Sequence, residues 1–264
     1  MSTLGIEVST TVEPMETDHM IIEGAEEVDG MGQVICQSSL KVRMETDGSP
    51  ICDPLELDLK MTPDMIEPVF SGAAWAGTVL WRAAARLVDK ALLAPDACVS
   101  VKGRSVVELG CGLGVPGMVA ARLGAKAVAL TEQDSLIELL DRNVRGNFTP
   151  EVASTITSCE FFWSKDGAQQ LRKDLVNGDF FDVVVCCDCV YVPLYGDCWI
   201  QLLEAIDVLS GPDTDVLISL ERRHVRDGDD GVNPFLAGMA SNGFKSTSLP
   251  SELPVELYHF RRCS

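Results

Sequence analysis

No stretch of this 264-residue chain approaches the roughly 18–20 consecutive apolar residues that a membrane-spanning helix needs, so no membrane partner is expected. Lysine and arginine are missing before Lys41, whereas eight acidic residues fall in that segment, and the whole chain carries a net charge of −19. Clustered basic side chains are what hold a phosphate backbone, so nucleic acid is not an expected partner. Such acidity favours encounter with a protein of basic surface, with solubility alone as the alternative reading. Histidine is scarce, at three residues, and Cys186, Cys187 and Cys189 crowd one apolar run without a second CxxC, so no zinc site is expected. The start of the chain shows no basic stretch followed by an apolar one, the mark of a secretory signal, and is the opposite of an Arg-rich transit peptide. Ten cysteines then read as free thiols in a reducing compartment rather than a disulfide framework. The expectation is a soluble, monomeric, cytoplasmic protein, with the nucleus as an alternative location.

What is present is organised unevenly. Residues 1–32 are acidic and mostly without periodicity, and read as a disordered tail. Residues 33–61 read as an extended segment leading into the main domain of residues 33–264, because Leu55, Leu57 and Leu59 alternate with Glu56, Asp58 and Lys60. An Ala- and Leu-rich stretch over about 73–90 predicts a helix. From there strand-like runs at 104–109, 127–131, 155–162, 181–187 and 214–220 alternate with helix-like runs at 115–123, 134–145, 166–174 and 197–209. That alternation predicts an α/β fold with a parallel sheet covered by helices on both faces. Two further runs, 244–248 and 255–261, lie too close for a parallel crossover and should form an antiparallel hairpin, giving seven strands.

Four features carry chemistry. The first is residues 106–117, VVELGCGLGVPG: a strand ending in Glu108, then Gly110, Gly112 and Gly114, then a helix opened by Pro116. Glycines at such a turn let backbone approach a ligand. A dinucleotide fingerprint would need glycine where Val115 stands, and a P-loop would need Gly-Lys-Ser/Thr, which is absent. The second is Glu132, at the end of the next strand, where an acid can accept hydrogen bonds from ribose hydroxyls; the alternative is a carboxylate favoured at a helix start, which suits Asp134 as N-cap better. The third is Asp188-Cys189-Val190-Tyr191, at the carboxyl edge of the sheet, with helix capping as the alternative for Asp188 and packing for Tyr191. The fourth is the pair Trp75 and Trp163, the latter at the end of a strand where a purine could stack; Trp81 and Trp199 read as core.

These residues resemble the eukaryotic seven-strand (class I) non-histone protein-lysine methyltransferases that carry a DxxY motif. The match rests on Trp75, on Glu108 to Gly114, on Thr131-Glu132 followed by Leu139-Leu140-Asp141-Arg142-Asn143, and on Phe181-Asp182 leading to Asp188-Cys189-Val190-Tyr191. It runs from roughly residue 70 to the C-terminus. The resemblance implies a Rossmann-like methyltransferase sheet and S-adenosyl-L-methionine as cofactor. It also implies cofactor contacts from Trp75, Glu108, Gly110, Cys111, Gly112, Gly114, Glu132, Trp163 and Cys187. Asp188 would orient the acceptor amine or take its proton through water, and Tyr191 would orient the amine or wall its channel. Glu132 stands where relatives often have Asp, and the segment 221–233 is longer and more acidic than expected.

The implied reaction is methyl transfer to a lysine side chain of a non-histone protein. Transfer to another nitrogen, on arginine, histidine or a small molecule, stays open, as does a cofactor-binding adaptor without catalysis, because fold does not separate these. A base-methylating enzyme would carry Asn/Asp-Pro-Pro-Tyr where this chain has Asp188 to Tyr191.

Overall fold

The computed structural model describes residues 15–28, 34–61, 63–70, 73–226 and 228–263. It contains two sheets. The first is antiparallel and formed by β1 (Met15–Glu16), β2 (Met20–Val28), β3 (Val34–Thr46) and β4 (Ser49–Asp58), in that order. After it come α1 (Pro63–Phe70), a 3₁₀ turn (Ala74–Thr78) and α2 (Arg82–Leu87), which runs on into a π-helical turn (Val88–Leu93).

The second sheet then begins. Its elements are β5 (Ser105–Leu109), α3 (Val115–Arg122), β6 (Ala127–Glu132), α4 (Asp134–Asn147), α5 (Pro150–Ala153), β7 (Ile156–Glu160), α6 (Lys165–Val176) and β8 (Phe181–Cys187). They continue through α7 (Val192–Tyr195), α8 (Trp199–Leu209), β9 (Ser210–Glu221), α9 (Val232–Ser241), β10 (Phe244–Leu249) and β11 (Val255–Arg262). The strand order is β10-β11-β9-β8-β5-β6-β7, parallel from β9 to β7, with β11 antiparallel to β9 and β10 antiparallel to β11. The expected α/β fold, seven-stranded and mostly parallel with a C-terminal antiparallel hairpin, is therefore the one observed.

The central strands are apolar on both faces, as helices on both sides require. Val106 and Val185 belong to the core on one face, Val107 and Val184 to the core on the other, and all four are buried. The chain leaves β5 toward β6 on one side and reaches β8 on the other. The point where strand order reverses thus lies between β5 and β8, and ligands of open α/β sheets bind outside the carboxyl ends there.

The expectation of a disordered tail over residues 1–32 is corrected where the structure describes it. Residues 15–28 form β1 and β2, and Met20 and Ile22 are fully buried in the same core as Leu40, Val42 and Leu57. Residues 1–14 and 29–33 lie outside the described set. Composition misled because the cations that answer these acids come from later in the chain: Arg43 pairs with Glu23, and Lys90 with Asp18. Buried Asp89 also accepts hydrogen bonds from the Thr17 hydroxyl at 2.9 Å and the His19 amide at 2.6 Å, which clips β1 and β2 onto the π turn.

The other edge of the small sheet is closed by α4. Asn143 and Asn147, one helical turn apart, offer their amides to the backbone of β4. Asp58 N donates to Asn143 Oδ1 at 2.7 Å, and Glu56 N to Asn147 Oδ1 at 2.7 Å. In return the Asn147 side chain donates to Glu56 O at 2.8 Å. Two carboxamides thereby satisfy an edge that would otherwise expose unpaired backbone groups.

Candidate active site

The turn after β5 sets the geometry. Gly110 and Gly112 take φ of +59° and +53°, in the left-handed region that a side chain strains to adopt. Their lack of Cβ also lets neighbouring chain come close. A Cβ on Gly110 would stand 2.9 Å from Cys189 Sγ, and one on Gly112 would stand 2.9 Å from Gly77 O. The glycine turn is thus seated between the loop after β8 and the 3₁₀ turn that precedes α2.

Around this turn opens a cavity of about 420 Å³ at the carboxyl ends of β5, β6 and β8. That volume falls in the range of small-molecule sites. Three carboxylates line it, on Glu108, Glu132 and Asp188, and no lysine, arginine or histidine does so among the described residues. Glu108 is buried and accepts a hydrogen bond from Gly117 N at 2.7 Å, near the N-terminus of α3. Burial outweighs that bond and pushes its carboxyl up to about 8. Burial likewise raises Glu132, whose Oε1 faces Gly112 N at 3.4 Å. Burial raises the thiols of Cys111 and Cys187 well above the usual range, so both stay protonated and inert.

Of the expected site residues, Glu108, Gly110, Cys111, Gly112, Glu132, Trp163, Cys187 and Asp188 are brought together on this cavity. Three are not. Gly114, at φ +71°, caps α3, and a Cβ there would press on Leu140 at 3.0 Å and Leu130 at 3.2 Å; its role is packing of α3 and α4 on β6. Tyr191 caps the short α7, whereas Tyr195, at the other end of that helix, lines the cavity. Trp75 packs against the core instead.

The expected single helix over 73–90 is broken, and the break corrects the tryptophan assignment. Val79 is extended at φ −111°, ψ 135°, and Trp81 at φ −74°, ψ 145°. Trp81 Nε1 donates to Ala76 O at 2.8 Å, which fixes its indole on the cavity wall in the place expected for Trp75. Apolar spacing hid this, since the sequence is Ala-rich on both sides of the short break from Val79 to Trp81.

Asp188 is held firmly. It is one of three non-glycine residues with positive φ among the described residues, at +57°, and its amide donates to Ser219 O at 2.8 Å. Its Oδ1 accepts from Glu221 N at 3.2 Å and from Arg223 Nη1 at 2.9 Å, while Arg223 Nη2 pairs with Oδ2. The guanidinium lies 5.3 Å from the Trp81 ring and 5.1 Å from the Tyr191 ring. Arg223 was missed by sequence reasoning. It sits in an acidic loop 35 residues after Asp188, and nothing in the pattern ties the two.

The protein N-lysine methyltransferase METTL21A of Danio rerio is 33% identical over 129 residues, covering 49% of this chain and 55% of the relative. Its namesake from Mus musculus is 29% identical over 151 residues, covering 57% and 63%. A protein named secreted RxLR effector protein 48, from Plasmopara viticola, is 38% identical over 134 residues, covering 47% and 64%. The matched regions thus span between about half and just under two thirds of these relatives. Among solved structures, a ribosomal protein L11 methylase from Lactobacillus delbrueckii subsp. bulgaricus is similar at 17% identity and a TM-score of 0.46, over 69% of this chain and 77% of that one. The family described as lysine methyltransferase matches residues 69–231, well over half of the sequence and the whole of the cavity wall from Ala73 to Gln201. The chain belongs to the lysine methyltransferase family.

Proposed function

We propose that the chain is an S-adenosyl-L-methionine-dependent enzyme that methylates a lysine side chain of a non-histone protein. The observation that carries the reading is the lining of the cavity: three carboxyl groups and, among the described residues, no basic group, at the reversal point of the sheet. A cationic ligand fits that set of acceptors, and a phosphate-bearing dinucleotide does not. The cofactor, when bound, supplies a methyl group on a sulfonium leaving group. In this reading Glu132 accepts from the ribose hydroxyls, Trp163 stacks with the adenine, and Glu108 with Gly110, Cys111 and Gly112 surrounds the methionine end.

The residues of this chain then have to position an amine and keep it unprotonated. Trp81, Cys187, Leu194 and Tyr195 make the wall beside Asp188 largely apolar, which disfavours an ammonium by desolvation. Asp188 orients the amine by accepting its N–H. In-line alignment of nitrogen, carbon and sulfur supplies most of the acceleration, as expected where the leaving group is already good. The net charge of −19 supports a substrate protein of basic surface rather than nucleic acid. Exposed free thiols at Cys98, Cys198 and Cys263 suit a monomeric enzyme in the reducing cytoplasm.

The test is incubation with methyl-labelled cofactor and a cell extract, followed by acid hydrolysis of the labelled proteins. Label in methyl-lysine supports the reading. Label in methyl-arginine or methyl-histidine moves it to another nitrogen, and no label beyond a Gly112→Val control overturns it.

A further inference from the structure

Asp188 presents an electrostatic problem to the function proposed above. A bare carboxylate beside an incoming lysine would stabilise its ammonium form, which cannot attack a methyl group. The structure supplies a counter-charge. A carboxylate offers about four lone-pair positions. Glu221 N and Arg223 Nη1 occupy two on Oδ1, and Arg223 Nη2 occupies one on Oδ2, which leaves one free position on Oδ2. Asp188 lines the cavity while Arg223 does not, so the guanidinium backs the carboxylate from outside the wall. Trp81 and Tyr191, whose rings lie 5.3 and 5.1 Å from it, hold it there.

We propose that Arg223 is a positioning residue that offsets the charge of Asp188 where the acceptor amine enters, leaving that carboxylate one hydrogen-bond position and a weakened hold on an ammonium. The inference rests on the proposed function, because it assumes that the methyl-bearing end of the ligand faces Asp188. The other titratable groups that face this point are Glu221 from β9, Tyr191 and Tyr195 from α7 and its cap, Cys187 and Cys189 around the end of β8, Glu108 from β5 and Glu132 from β6. Arg223 is the one cation paired with Asp188 among the described residues.

The test compares two ligands on the whole 264-residue chain by calorimetry: S-adenosylhomocysteine, which has a neutral sulfide, and sinefungin, which carries an ammonium where the methyl sulfonium would be. Arg223→Gln exposes the charge of Asp188 and should shift the preference toward sinefungin by about tenfold, the scale of one nearby charge. Arg223→Lys should restore the wild-type ratio, and Asp188→Asn should shift preference about tenfold the other way. A purely architectural arginine would weaken both ligands alike. An unchanged ratio in Arg223→Gln overturns the inference. Should that variant not fold, an unchanged ratio in Asp188→Asn does so. If wild type binds neither ligand, the proposed function itself falls, and the inference with it; if it binds both with no change among variants, the inference alone falls.

Discussion

The two walls of the cavity are built in opposite ways. The wall of Glu108, Gly110, Cys111, Gly112, Glu132 and Gln133 comes from two consecutive strand ends and the turns that follow them. The opposite wall draws Trp81 from before the sheet and Asp188 and Tyr195 from after β8, with Arg223 behind them from after β9. The first wall is local and rigid, because the turn geometry is imposed by glycines at positive φ. The second is assembled by long-range contacts, and its residues are set by ion pairing and ring stacking. A ligand shared by many reactions can be held by the first. In the function proposed above, the second adds Trp81 to the hold on the cofactor and receives the acceptor at Asp188.

The sharpest way to break that contrast is in the glycine turn. Gly110→Val puts a branched side chain at φ +59° and against Cys189 and Trp163. Affinity for S-adenosylmethionine should fall by ~10²-fold or more in protein whose circular dichroism remains native. Native affinity would show that the turn is not the cofactor wall.

Asp188→Asn should separate the walls. It keeps shape and leaves affinity for the sulfonium cofactor within about tenfold but lowers turnover by roughly 10²-fold, the scale of a lost positioned acceptor. If Asp188 served only as a cap, Asn would replace it and the rate would hardly change. Steady-state rates at saturating cofactor, on the labelled protein found in the extract, decide this.

A pH titration probes the first wall alone. Glu108 is pushed up to about 8 by burial, so in the empty protein it is protonated at pH 7. A cationic ligand favours the ionised form, and its binding must then expel a proton below that value. Affinity should therefore rise close to tenfold per pH unit below about pH 8, roughly fiftyfold between pH 6 and pH 8, and level off above. Calorimetry in buffers of different ionisation enthalpy should detect the released proton. A flat profile in wild type, matching Glu108→Gln, would detach Glu108 from the ligand.

The smallest effect is expected at the tryptophans. Trp81→Phe loses the bond to Ala76 O and should weaken cofactor binding by about 0.5–1.5 kcal/mol, while Trp75→Phe leaves it unchanged. The reverse result would restore Trp75 to the cavity.

The local wall was legible because each residue there follows from its neighbours. An apolar strand ending in an acid, a GxGxG turn and a proline-opened helix admit few backbone paths, and Glu132 follows at the next strand end. The distant wall was half legible. Asp188 was placed at the sheet edge by the strand before it, but Tyr195 was passed over for Tyr191, and Arg223 had no signal at all. The N-terminal strands were hidden for the same reason: Met20 and Ile22 sit among acids whose cations arrive with Arg43 and Lys90.

By itself the sequence determined the alternating α/β order, the antiparallel hairpin at the end and the glycine turn with its two acids. Each of these depends on hydrophobic period, crossover length or the φ that a residue can adopt, all of which act over a few neighbours. Tertiary structure alone decided that Trp81 rather than Trp75 faces the cavity, that β2 belongs to the core, and that Asp188 meets Arg223. Those outcomes depend on which distant charge, ring or amide is brought within a few ångströms, and no local pattern records that distance.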